Sequence, residues 1–130
     1  MYIADGKTNG PAFSWPDGKR IAVMVTFDYD AEFLRISRAK SKGTSIGFTD
    51  FSRGQYGHHD GLDRCLDMLD TMNIKSTFFV PGAVIETYRD TVEEIHRRGH
   101  ELACHGYRHE SDPELSRDEM IKILDKSEAL

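Results

Sequence analysis

Apolar residues fall in short groups along this chain, and the groups follow two different periods. Ile21-Ala22-Val23-Met24-Val25-Thr26-Phe27 is almost continuously apolar and rich in β-branched residues, the pattern of a strand covered on both faces. Lys75-Ser76-Thr77-Phe78-Phe79-Val80, closed by Pro81-Gly82, predicts a second buried strand, and Glu101-Leu102-Ala103-Cys104 a third. Between them the period changes. Leu62, Cys65, Leu66, Leu69 and Met72 recur at helical spacing, while Asp63, Arg64, Asp67 and Asp70 fill the other face. This predicts an amphipathic helix with Asp60 as its N-cap. Helical segments are expected across 83–98, with Val92 and Ile95 inward and Gly99 as the residue after the helix. Beyond a polar turn through Asp112-Pro113, Ser116 and Glu119 form a capping box for a last helix holding Met120, Ile121, Ile123 and Leu124.

Residues 1–20, rich in Gly, Pro, Asp and Lys, read as a lead-in arm, with turn chemistry at Trp15-Pro16-Asp17-Gly18. Residues 28–59 carry Gly43, Gly47, Gly54 and Gly57 and no sustained period. They predict a long loop with at most a short helix near Glu32–Arg38, and loops of that length are usually functional or mobile. Strand and helix then alternate, which is the rhythm of a parallel α/β sheet or barrel. In such folds function gathers where strands end. Three strands cannot close a barrel, so residues 21–130 form either a small open sheet or part of a larger domain.

Composition narrows the classes. At 130 residues and 38% hydrophobic content the chain suits one domain. The 17 Lys and Arg against 22 Asp and Glu leave a formal charge of −5, which argues against a nucleic-acid partner and suits a small neutral or amide substrate. No run approaches the roughly 18 apolar residues of a membrane span, and the start lacks a secretory pattern, so a soluble, cytoplasmic protein with no membrane partner is expected. Cys65 and Cys104 make no disulfide framework and no zinc-finger spacing, and both are expected as buried thiols.

Two strand ends carry the chemistry. Asp28, Asp30 and Glu32 place carboxylates directly after the first apolar run, where they could be mere solvated turn residues. His105 and His109 form an i, i+4 pair in the loop after the third strand. Two imidazoles at that spacing reach one ion if the backbone curls, and imidazole suits zinc, iron, nickel or cobalt. Two histidines and one carboxylate make a facial set with open coordination positions, as a catalytic metal needs.

The segments Thr26-Phe27-Asp28-Tyr29-Asp30-Ala31-Glu32 and His105-Gly106-Tyr107-Arg108-His109-Glu110, with Phe78-Phe79-Val80-Pro81-Gly82 and Arg98-Gly99-His100-Glu101 between them, resemble the NodB-homology domain of polysaccharide deacetylases, carbohydrate esterase family four. The likeness covers roughly residues 15–115 and is strongest to the cytoplasmic branch of peptidoglycan-deacetylase-like and allantoinase-like proteins. It implies the N-terminal part of a distorted (β/α)7 barrel. It also implies hydrolysis of an amide or related C–N bond, with Asp28 as general base and Asp30, His105 and His109 as ligands of one divalent ion. Zinc is the first expectation, with cobalt, nickel, manganese or iron also open. The sequence departs from the family pattern in two places. Tyr29 stands between the two acids, which are usually adjacent, and Gly106 replaces the Ser or Thr whose hydroxyl normally supports the histidine loop.

Tyr29, Tyr107 and Arg108 lie beside these positions and are candidates for substrate contact or for loop support, and Glu110 for holding an imidazole from behind. His58-His59 reads as solvated loop, and His96 and His100 as structural. The expected substrate is an N-acylated carbohydrate or related small amide. A cyclic imide or ureide is the alternative, and so is a non-catalytic metal-binding fragment that acts as an assembly module. The usual general acid comes from a family motif nearer the C-terminus that these residues lack. Open strand edges and apolar helix faces make a homo-oligomer the expected assembly.

Overall fold

A computed structural model describes residues 15–110 and 115–130. Most of the lead-in arm and the Asp112-Pro113 turn lie outside them. The described residues form a three-stranded parallel sheet in the order β1 (Thr26–Asp28), β2 (Thr77–Val80), β3 (Glu101–Cys104). Six α-helices among them accompany it: α1 (Phe33–Ser41), α2 (Phe48–Tyr56), α3 (Leu62–Met72), α4 (Gly82–Thr87), α5 (Arg89–Arg97) and α6 (Arg117–Glu128). No helix among the described residues is long and apolar enough to cross a membrane.

The core is the contact of the sheet with α3, α4 and α5. Leu62, Leu66 and Leu69 from α3, Phe78 and Val80 from β2, Val84 from α4 and Val92 and Ile95 from α5 are all buried. Removing Phe78 beyond Cβ would cost about 3–5 kcal/mol at such a site. The chain leaves α3 through Asn73 in the left-handed conformation (φ 52°) and α5 through Gly99 (φ 82°), each helix ended by a residue type that tolerates positive φ. Ser116 and Glu119 make the expected capping box on α6. His100 is buried, its Nδ1 accepting the Ser76 N–H at 3.2 Å, whereas His96 is exposed.

Four sequence expectations are corrected. The first strand is shorter than its apolar run, and Ile21, Val23 and Met24 are 75%, 80% and 87% exposed. Its last tie toward the N-terminus is the Thr77 N–H to the Val25 carbonyl at 3.2 Å. β2 begins at Thr77, so earlier residues have no neighbour to pair with. Second, the expected loop across 28–59 is mostly helical. α1 coincides with the short helix expected near Glu32–Arg38 and runs on to Ser41, while α2 and a π-helical turn, Gly57–Gly61, that runs straight into α3 occupy much of the rest. Asp60 therefore lies within a turn of helix and caps nothing. Third, Cys65 is only half-buried, and Cys104 is exposed because β3 lies at a sheet edge. Fourth, Met72, expected on the inward face of α3, is 59% exposed.

Gly54 explains how α1 and α2 come so close. A Cβ there would stand 2.6 Å from Cα of Glu32, so this glycine permits the crossing of α2 over the start of α1. Gly54→Ala should destabilise the fold by about 1–3 kcal/mol, the usual scale of overpacking. Gly57→Ala, where an added Cβ meets nothing within 4 Å, should be neutral or slightly stabilising. Urea denaturation of the two variants checks this, and equal losses would remove the close-crossing explanation.

Candidate metal centre

Because β1 and β3 flank β2 in parallel, both sequence clusters emerge at the same end of the sheet. The ladder runs one residue past each strand: the Tyr29 N–H donates to the Phe79 carbonyl at 2.9 Å and the His105 N–H to the Val80 carbonyl at 3.3 Å. Asp30 and His105 thus leave the sheet from opposite sides of β2, which turns away through Pro81 into α4. The histidine loop is tied over that opening. The Gly82 and Ala83 N–H groups at the start of α4 donate to the carbonyls of Gly106 and Tyr107 at 3.0 and 2.8 Å, satisfying helix-terminal donors that have no partner inside the helix.

Asp30, His105 and His109 each offer a ligand atom, all within 4.8 Å of one another. His105 Nε2 lies 3.5 Å from one Asp30 oxygen and His109 Nε2 3.9 Å from the other, separations that leave room between them. Asp30 Oδ1 and His105 Nε2 are buried without a hydrogen-bond partner, a costly arrangement for polar atoms. Burial pushes the Asp30 carboxyl above its ordinary value, and neighbouring Asp28 adds to this, while His109, His105 and Arg38 oppose it. A dication with nitrogen and oxygen preferences fits this donor set and answers both unpartnered atoms.

The histidine loop is supported by groups that the sequence motif does not announce. Gly106 adopts φ 69°, and a Cβ there would meet a Glu110 oxygen at 3.3 Å. The Glu110 carboxylate accepts the N–H groups of Tyr107 and Arg108 at 3.1 and 2.9 Å. Glu110 thus holds the loop backbone and not an imidazole, which corrects the expected contact. Ser127 of α6 donates to the Gly106 carbonyl at 2.9 Å. His109 itself has φ 60°, and its carbonyl accepts the Ser37 hydroxyl at 2.6 Å. Ser37 gave no signal in sequence because its partner, the His109 carbonyl, lies 72 positions away along the chain.

The remaining candidates are distributed differently. Asp28 is exposed and lines a cavity of about 400 Å³ together with Asp30, Leu34, Arg38 and Arg53. His105 and His109 line a second cavity of about 360 Å³ with Met120, Ile123 and Leu124. Tyr29 points into the core, 5% exposed, with its phenol well above the ordinary range through burial. It lies one residue from each acid, and successive side chains of an extended segment alternate faces. Tyr107 turns toward α4 and α6, its hydroxyl donating to Glu86 and its ring under the Lys126 ammonium at 3.5 Å. Arg108 lines a separate cavity with Ser37 and Lys40. The structure therefore brings Asp28, Asp30, His105 and His109 to one end of the sheet and gives Tyr29 and Tyr107 structural contacts. His58, expected to be solvated, is packed against Tyr88 with ring centroids 3.8 Å apart.

Asp30→Asn, His105→Ala and His109→Ala each alter one of three donors, so each should strongly reduce bound divalent metal, measured by elemental analysis. Asp30→Asn should also separate stability from binding. With its carboxyl raised above the ordinary value, the folded chain holds the proton more tightly than the unfolded one. Metal-free stability therefore falls as pH rises from the ordinary carboxylate value through the raised one. The variant should melt higher than wild type when metal-free at neutral pH and gain nothing from added metal. A lower metal-free melting temperature would contradict this reading of the buried carboxylate.

Residues 16–130 match the protein family described as polysaccharide deacetylase. Peptidoglycan deacetylase-like protein FGM2 of Gibberella zeae is 32% identical over 110 residues, covering 83% of this chain and 32% of that protein. The peptidoglycan deacetylase of Helicobacter pylori is 33% identical over 109 residues, covering 84% of this chain and 36% of that protein. The chain thus spans about a third of the length of these curated relatives. Among solved structures, a candidate polysaccharide deacetylase from Mycobacterium smegmatis superposes with a TM-score of 0.78 at 39% identity, over 91% of this chain and 41% of that one. Puue allantoinase superposes with a TM-score of 0.76 at 19% identity, over 87% and 42%, a likeness of fold. This chain belongs to the polysaccharide deacetylase family.

Proposed function

We propose that the chain carries the metal-binding part of an amidohydrolase that removes an acyl group from an N-acylated carbohydrate or related amide. The observation that carries the proposal is the convergence of Asp30, His105 and His109 within 4.8 Å, with two buried donor atoms unpartnered, beside the exposed carboxylate of Asp28. The peptidoglycan deacetylase relatives support a glycan substrate. The sheet then corresponds to the N-terminal part of a distorted (β/α)7 barrel.

A divalent ion held by the triad, zinc in the first instance, would supply Lewis acidity toward a carbonyl oxygen and toward water. The chain's own work is proton transfer and positioning. Asp28 lies next to the ligating residues without being one of them, and its carboxylate takes the proton of the attacking water. Expulsion of the amine needs a proton donor, and the described residues supply none at the site. Glu119 is committed to the capping box, accepting from the Ser116 N–H and hydroxyl, which holds its carboxyl below the ordinary range. Asp125 lies on exposed helix surface. A further segment such as the longer relatives possess would provide the donor.

These 130 residues alone should therefore hydrolyse amides feebly or not at all, and a longer chain at equal metal occupancy should turn over. In that longer chain Asp28→Asn should keep the metal and lose about a hundredfold or more in turnover, the scale of a positioned general base. The assay compares N-acetylated amino-sugar oligomers with a cyclic ureide. Turnover of the ureide alone would move the substrate class to the allantoinase-like alternative. Loss of metal on changing Asp28, with retention on changing Asp30, would exchange the two roles. Metal uptake without turnover of either substrate by the longer chain would favour the non-catalytic module.

A further inference from the structure

Ligating carboxylates are normally steered by hydrogen bonds from surrounding groups, yet Asp30 Oδ1 is buried and accepts none. With no hydrogen bond steering that oxygen, the backbone on either side of Asp30 is left to aim it. Immediately after it, Ala31 adopts φ 46°, a left-handed conformation that is unfavourable for a residue with a Cβ. Such strain persists only where the surroundings over-determine the backbone.

A partly buried polar array that ties the residues flanking Asp30 to two distant elements does this. The Tyr29 hydroxyl lies 2.8 Å from His58 Nδ1. The His58 ring stacks on Tyr88 at 3.8 Å between centroids, inclined by 25°. The Tyr88 hydroxyl reaches both Glu32 oxygens, at 2.8 and 3.0 Å, and Tyr29 and Glu32 are each 5% exposed. One end of the array grips the residue before Asp30, and the other grips the second residue after it. Its two middle members come from distant elements: His58 from the π-helical turn and Tyr88 from the junction of α4 and α5. Backbone bonds complete the hold, with the Tyr29 N–H on the Phe79 carbonyl and the Phe33 N–H on the Asp30 carbonyl at 3.0 Å.

Resting on the metal-binding reading above, we infer that Tyr29, His58, Tyr88 and Glu32 are positioning residues that clamp the strained turn from Tyr29 to Glu32 and thereby preset the ligating carboxylate of Asp30. The π-helical turn belongs to this device, since wide turns of that kind often mark functional positions in helices, and here the turn delivers an imidazole to the back of the acidic segment. The clamp explains why a tyrosine stands between the two acids: it anchors the segment from within the core while its neighbours face the site.

The test is zinc affinity, measured by competition with a chromophoric chelator, alongside the melting temperature of each metal-free variant. Tyr29→Phe, His58→Ala and Tyr88→Phe should each weaken zinc binding about tenfold, the lower end of the effect of removing groups that orient ligands. His58→Asn, whose amide oxygen can take the place of Nδ1, should recover most of the loss. Val92→Ala, a core truncation on α5, should lower the melting temperature while leaving zinc affinity unchanged. The inference is overturned if the clamp variants bind zinc like wild type, if Val92→Ala weakens binding as much as they do, or if His58→Asn is no better than His58→Ala. A wild-type chain that takes up neither zinc nor cobalt, nickel, manganese or iron would sink the metal-binding reading itself, a different result from normal uptake that the clamp variants leave untouched.

Discussion

Parallel pairing on both edges of β2 is the constraint from which the site follows. Neighbouring strands lie about 4.8 Å apart, so side chains leaving β1 and β3 start roughly 10 Å from each other. That is too far for direct contact between backbones but within reach of an aspartate and an imidazole extended toward one another. The gap can be bridged only if the middle strand gets out of the way. It does so at Pro81-Gly82, and a Cβ on Gly82 would meet the Tyr107 ring at 2.7 Å. The same glycine that lets α4 begin thus lets the histidine loop fold down across the end of the sheet, with α4 amides holding its carbonyls.

The electrostatics are those of a donor set that a bound dication would complete. A half-buried carboxylate faces two imidazoles at 3.5 and 3.9 Å, which attract it only when protonated, and its carboxyl is displaced upward by burial. Left to itself the arrangement costs stability, and strain at Ala31 and His109, both with positive φ, adds to that cost. The scaffold elsewhere offsets it. Nine of the described residues, from the sheet, its following loop and three helices, form one buried cluster, and Arg98 ties α5 to α3 through Asp67 and Asp70 at 2.9 and 3.0 Å.

Much of this was legible in the sequence because local chemistry and tertiary environment agreed. The second and third strands, the inward leucines of α3, Val92 and Ile95 of α5, the stop at Gly99 and the capping box of α6 each follow from a pattern of a few neighbouring residues. The His105–His109 pair announced itself in the same way. What escaped depended on contacts between distant segments. Gly54 looks like a breaker until Glu32 is seen beneath it. Tyr29 looks like a residue of the site until the alternation of side chains sends it into the core toward His58. Glu110 looks like a partner for an imidazole, yet two backbone amides reach it first. The run from Ile21 to Met24 has the composition of a covered strand, but strand formation also needs a neighbour, and β2 starts too late to be one.

Binding and turnover separate in this arrangement. Every proposed ligand is fixed by contacts among the described residues: Asp30 through the residues on either side of it, His105 through the sheet ladder, His109 through Ser37. None of these contacts involves the open edges of β1 or β3, or the exposed apolar face of α6. On the proposed function, the donor set for an ion is complete within the described sheet and its loops. Proton delivery to a leaving group is not, because Glu119 is spent on a helix cap. If the proposed function holds, a fold that gathers its ligands just beyond the strand ends of one small sheet would assemble the ion site early and locally, and would leave proton donation to a group outside the described residues.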